Sequence, residues 1–180
     1  MKKKLTTVLA IVLVVALSVA GTYAYLTDKT DAVENTFTVG NVDIKLAETT
    51  GDSYKMVPGT TIHKDPKVTV EADSEACWLF VEVEKSDNFD DFMTYDMANG
   101  WTALEGVDGV FYRQVAASDA NQVFPVLAND TVSVKSDVTK DMMDAIKEGT
   151  ATNPTLTFTA YACQTAGIDT AAKAWAEVGK

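Results

Sequence analysis

Few residues in this chain have both the type and the spacing to raise a chemical question. His63 is the single histidine among 180 residues, and it falls in the turn-like stretch TTIHKDP. A zinc site on a helix needs two histidines one turn apart, as in His-Glu-x-x-His, so that both ligands face one side. No such partner exists here, and a surface histidine with no metal is the expectation. Cys77 and Cys163 are the two cysteines. Each lies in a strongly β-patterned run, and neither has a His or Lys beside it to lower its pKa, so nucleophilic catalysis has no local support. They are a candidate disulfide, against the alternative of two separately buried thiols. Asp87, Asp90, Asp91 and Asp96 gather in SDNFDDFMTYD. Carboxylates on a loop can take calcium, but the alternate acidic positions and glycine turn of an EF-hand are missing, which favours a solvated acidic loop. Trp78, Trp101, Tyr112, Tyr161 and Trp175 are expected in the core, unless they cluster at the surface as a carbohydrate or partner face. There is no phosphate-cradling glycine loop, nucleophile elbow or paired-carboxylate motif, and no cofactor is implied.

Bulk composition narrows the classes further. The formal net charge is −11, which argues against nucleic acid as a partner, because phosphate contacts need basic side chains. The length suits one globular domain plus a targeting segment, and such a domain can bury a core without staples.

The N-terminus reads as that targeting segment. Lys2, Lys3 and Lys4 precede an apolar run from Leu5 to Ala20, and small residues cluster at Ala20, Gly21, Thr22 and Ala24. This is the order of a secretory signal peptide; the run is short for a spanning helix and no basic stop-transfer cluster follows. Cleavage is compatible with Ser18-Val19-Ala20 or with Thr22-Tyr23-Ala24, and an uncleaved anchor is the alternative.

The rest of the chain must supply the scaffold, and its pattern is β. Val33, Phe37 and Val39 alternate on one face, with Asn35 the polar exception. The parity flips at Gly40-Asn41, after which Val42, Ile44 and Leu46 point inward. ETTGDSYKMVPGTT reads as a loop with a Pro58-Gly59 turn, and PKVTVEA as a strand with Val68 and Val70 inward. ACWLFVEVEKS is the strongest strand, buried on both faces in its first half and on one in its second. SDNFDDFMTYDMANG reads mainly as a long surface connection with room for a short helix. GWTALEG, GVFYRQV, QVFPVL and DTVSVK are short β pieces, and Pro125 makes the third an edge or bulged strand. VTKDMMDAIKEG is the clearest helix, capped by Thr139 and ended by Gly149. NPTLTFTAYACQ is a strand, and DTAAKAWAEV a terminal helix capped by Asp169 with Trp175 inward. The expected fold is all-β, a jelly-roll β-sandwich with one or two short inserted helices. The expected organisation is a signal peptide over 1–24, a mature N-terminal strand over 25–40 and the jelly-roll domain over 41–180.

The signal and the segment after it carry a likeness. Gly21-Thr22-Tyr23-Ala24, Tyr25, Asn35-Thr36-Phe37 and Gly40, followed by an alternating strand and later Pro58-Gly59, resemble the TasA/camelysin family of secreted Gram-positive proteins. The resemblance implies a SipW-type signal peptidase acting at Thr22, Ala24 and Tyr25, with membrane contact only before cleavage. It implies a jelly roll, and secretion to the cell surface or extracellular matrix of a Gram-positive bacterium. It also implies a homo-oligomeric fibre built by donor-strand exchange, in which Val33, Phe37 and Val39 insert and Tyr25 and Leu26 lead. Backbone pairing then gives affinity and alternate side chains give register. Alternation alone leaves open whether the strand completes its own sheet. Camelysin-type relatives have been described as metalloproteases, a chemistry for which no motif is present here. The function expected is a structural, non-enzymatic matrix or surface protein; the alternatives are a secreted metalloendopeptidase and a monomeric surface-binding module.

Overall fold

The computed structural model describes residues 40–51 and 53–178. In chain order the elements are β1 (Ile44–Ala47), β2 (Thr61–His63), β3 (Lys67–Val70), β4 (Cys77–Lys85), α1 (Phe89–Phe92), β5 (Met93–Thr94), β6 (Thr102–Ala103), β7 (Val110–Val115) and β8 (Gln122–Pro125). A 3-10 turn (Ala128–Asp130), β9 (Thr131–Val134), α2 (Lys140–Lys147), β10 (Leu156–Gln164) and α3 (Ala171–Val178) follow. The strands form three antiparallel sheets, in the orders β1-β3-β8, β10-β4-β7-β6 and β2-β9-β5. The all-β expectation therefore holds.

Alternation along β3 and β4 builds the central core. Val68 and Val70 from the first sheet meet Cys77, Leu79, Val81 and Val83 from the second, with Val115 and Val126 beside them. Each fully buried Val or Leu contributes about 1.5–3 kcal/mol of transfer free energy. The opposite face of β4 offers Trp78 and Phe80, covered by Leu104, Val110 and, from α3, Ala171 and Ala174. Cover on both sides over the first half of β4 follows its sequence pattern. A third cluster lies under the β2-β9-β5 sheet, where Phe89, Phe92, Met93, Leu127, Val132 and Val134 pack with Met142, Met143 and Ile146 of α2.

Local signals act as their chemistry dictates. The Thr139 hydroxyl accepts from the Met142 N–H at 3.3 Å and starts α2. Gly149, at φ 75°, lets the chain turn so that the N–H groups of Thr150 and Ala151 close on the Ala145 carbonyl at 2.9 and 3.0 Å, satisfying a helix-end acceptor. Pro125 ends the outermost strand of its sheet, where a missing N–H costs no ladder bond.

Two expectations need correction. SDNFDDFMTYDMANG is not mainly a surface connection. Phe89 is 1% exposed and Phe92 4%, so one turn of helix pins the segment into the third cluster while its acids face water. The cap of α3 is also displaced by one residue. Thr170 Oγ1 accepts from the Lys173 N–H at 3.3 Å, whereas Asp169 makes an exposed ion pair with Lys173 at 3.5 Å.

Candidate functional site

The cleavage residues Thr22, Ala24 and Tyr25, and the assembly residues Leu26, Val33, Phe37 and Val39, lie outside the described residues. The structure does describe where their segment enters the domain. A Cβ built on Gly40 would stand 3.1 Å from Glu75 Cγ and 3.6 Å from Gln164 Oε1. Asn41 accepts from the Glu75 N–H at 2.9 Å, and Asp43 from the Glu71 N–H at 2.9 Å. The entry point is thus tied to the loop before β4 and lies against the C-terminal end of β10.

His63 is exposed on β2, opposite Thr131. The two cysteines are free in this structure, and the register gives the reason. Cys163 pairs with Trp78, and Gln164 with Cys77, so the cysteines are one residue out of step on adjacent strands. Successive residues of a strand face opposite sides; Cys77 therefore points between the sheets and Cys163 toward α3. Burial, and then the neighbouring Cys163, pushes the Cys77 thiol up to about 11. Burial, and then Glu177, also raises Cys163. Neither thiol is set up as a nucleophile.

Asp87, Asp90, Asp91 and Asp96 are all exposed around α1. Lys85 Nζ pairs with Asp90 at 2.7 Å, and Lys135 Nζ donates to the Asp90 carbonyl oxygen at 3.0 Å. The aromatic residues divide. Trp78, Tyr112, Tyr161 and Trp175 surround Phe80 under α3, as core residues should. Trp101 packs against the central core and stands with Phe124 about Arg113, the only arginine of the chain. The guanidinium carbon lies 5.4 Å from the Trp101 ring centroid and 4.0 Å from that of Phe124, and burial lowers the pKa of Arg113.

Two polar knots escaped sequence reasoning. Buried Asp65 accepts from Thr49 Oγ1 at 2.6 Å, Thr49 N–H at 2.9 Å and Thr50 N–H at 3.1 Å. The Thr49 hydroxyl leads the causes that hold its carboxyl well below the usual carboxylate range. Lys64 Nζ bonds Glu48 at 2.8 Å and lies over the rings of Tyr54 and Phe158. Burial alone would raise the Glu48 carboxyl, but hydrogen bonds from Lys64, Tyr54 and Thr50 outweigh it and lower the pKa. Beside this pair a cavity of about 320 Å3 is lined by Tyr54, Met56, Ile62, Lys64, Phe89 and Leu156 among others. The only sequence signal for these contacts was a lysine and an aspartate between two β runs, a pattern shared by most surface turns.

These observations define, over the described residues, a domain of antiparallel β-sheets with a few short helices. A family model described as Camelysin metallo-endopeptidase matches residues 1–94, and the chain belongs to that family, the camelysin/TasA family that its N-terminal motif resembles. Comparison with curated proteins and with solved structures found no match.

The family description implies a metal, and the donor set of the described residues does not fit one. Among the described residues no group of three or more His, Cys, Asp or Glu is placed to hold an ion. Residues 1–39 contain neither His nor Cys. The available nitrogen and sulfur donors are thus one exposed imidazole and two thiols committed to opposite faces of a sheet.

Proposed function

We propose that this chain is a secreted structural subunit of the bacterial cell surface or biofilm matrix, and not an enzyme. A SipW-type signal peptidase releases it after Ala24, and the freed segment from Tyr25 to Val39 enters the sheet of a neighbour, building a fibre by donor-strand exchange. The observation that carries this reading is the family match over residues 1–94, the part of the chain that holds both the signal and the alternating segment. β-Augmentation supplies the affinity, and a head-to-tail contact that does not close gives a filament.

The test compares a chain starting at Tyr25 with one carrying a blocking N-terminal extension, by light scattering and negative-stain microscopy. Filaments from the free N-terminus alone are expected. Monomers from both would move the protein to a monomeric surface-binding module.

The family's description favours a second reading, a secreted metalloendopeptidase. It requires chelator-sensitive cleavage of a generic protein substrate by the purified chain. The sparse donor set supports the expectation that no such activity is found.

A further inference from the structure

The sheet edges differ sharply in how they are defended. Among the described residues β5 and β6 are two residues long and β2 three. β8 ends in Pro125, whose carbonyl takes the Trp101 indole N–H at 2.8 Å. β1 has four residues with Lys45 exposed. β10 is the exception. It is nine residues long, reads LTFTAYACQ, contains no charge, proline or glycine, and has β4 on one side and no described strand on the other. Edge strands are normally blunted by shortness, charge or proline, and an uncharged β-prone edge is a pairing template.

The hydrogen-bond parity fixes which groups are on offer. The Thr155 carbonyl accepts from Ser86, and the Thr165 N–H donates to Ala76; with the register of β10 on β4, the odd-numbered residues bond inward to β4. Alternation then turns the N–H and C=O groups of Leu156, Phe158, Ala160, Ala162 and Gln164 to the open side. Four of these residues also aim their side chains at the central core, yet Leu156, Phe158, Ala160 and Ala162 stay only partly buried, as do Val42, Ile44 and Leu46 facing them from β1 and the residues before it. Cover of the central core is thus incomplete along this edge.

We infer that the outer edge of β10 is the acceptor, and that its occupant is the Val33–Val39 segment of a second copy; this rests on the reading above that the segment is given to a neighbour. The seven residues from Val33 to Val39 suit a nine-residue edge, with Val33, Phe37 and Val39 presented to the half-covered core. Residues 25–39 reach roughly 50 Å when extended, enough to leave one domain at Gly40 and span the neighbour's β10. The acceptor lies beyond the matched residues 1–94, so it comes from the fold of this chain.

The experiment measures amide hydrogen exchange along β10 of the mature chain from Tyr25, held dilute and monomeric, before and after addition of a synthetic peptide spanning residues 25–40. The expected result is exchange slowed about tenfold or more at Phe158, Ala160, Ala162 and Gln164, and no slowing with a peptide carrying Phe37→Asp. Ala160→Pro removes an outward N–H but no bond to β4; it is expected to keep the melting temperature within a few degrees, as an edge proline does, and to abolish the protection. Should that variant not fold, the exchange data on the unaltered chain decide alone. Protection appearing at β1, β2 or β8 instead, or nowhere, overturns the assignment. Outward amides already protected in the dilute monomer and insensitive to peptide overturn it too, because the chain's own segment then fills the edge. Fibres whose β10 amides still exchange would refute the edge and leave the assembly reading standing. A chain that never polymerises but whose β10 is protected by peptide would do the reverse.

Discussion

At the scale of single residues, the polar chemistry of this domain is spent on holding loops together. Asp65 is the clearest case. The Thr49 hydroxyl and N–H, the Thr50 N–H and the Lys67 ammonium favour its ionised form, so its pKa is lower in the folded state than in the unfolded chain, where it is about 3.9. Stability from this group is therefore fully present above about pH 4 and is lost as the pH falls toward the folded value. Asp65→Asn is expected to melt below the parent at pH 7, with the gap closing as the pH drops under about 4; a gap constant with pH would contradict the carboxylate's role. The thiols give a second expectation. Cys77, raised to about 11, remains protonated at neutral pH, and burial pushes Cys163 in the same direction. Maleimide labelling of the folded protein is expected to be slow at both and to finish quickly in denaturant. Fast native labelling would mean that the β10–β4 register described above is wrong.

At the scale of elements, β4 and α2 illustrate two sources of stability. β4 is held by burial on both faces, and Phe80 is its anchor: it is fully buried and packs against Tyr112 and Trp175. Phe80→Ala should cost about 3–5 kcal/mol in chemical denaturation, as large-to-small changes in closed cores do. α2 is exposed on one side and rests more on its ends. Losing the Thr139 cap by Thr139→Ala should cost about 1 kcal/mol, with the slope of the denaturation curve unchanged. A far larger loss would indicate that α2 clamps the third cluster more tightly than its half-exposed methionines imply.

At the scale of the whole molecule, the proposed release after Ala24 and the fate of the segment it would free can each be tested. The expected N-terminus of secreted protein is Tyr25, read by mass spectrometry. A terminus at Gly21 would refute cleavage after Ala24 and leave four more residues ahead of the donor segment. Phe37→Asp divides the two fates of that segment: it weakens contact between subunits when the strand is exchanged, and lowers the melting temperature of the monomer when the strand is internal.

The sequence by itself determined what depends on near neighbours in the chain. Alternation along Cys77–Lys85, the Thr139 cap, the Gly149 stop, the Pro58-Gly59 turn and the edge position of Pro125 were all legible, because each is set by side-chain periodicity or by backbone chemistry within a few residues. Tertiary structure alone decided what depends on partners far along the chain. Phe89 and Phe92 read as part of a polar connection until the third cluster gave them somewhere to be buried. The choice of Thr170 rather than Asp169 as the acceptor of the Lys173 N–H is seen only in the folded chain. The one-residue offset that parts Cys77 from Cys163 is a property of the β10–β4 register. The open side of β10 was invisible for the same reason: a run such as LTFTAYACQ has one periodicity whether it lies at the centre of a sheet or at its rim, and only the count of strands beside it tells which.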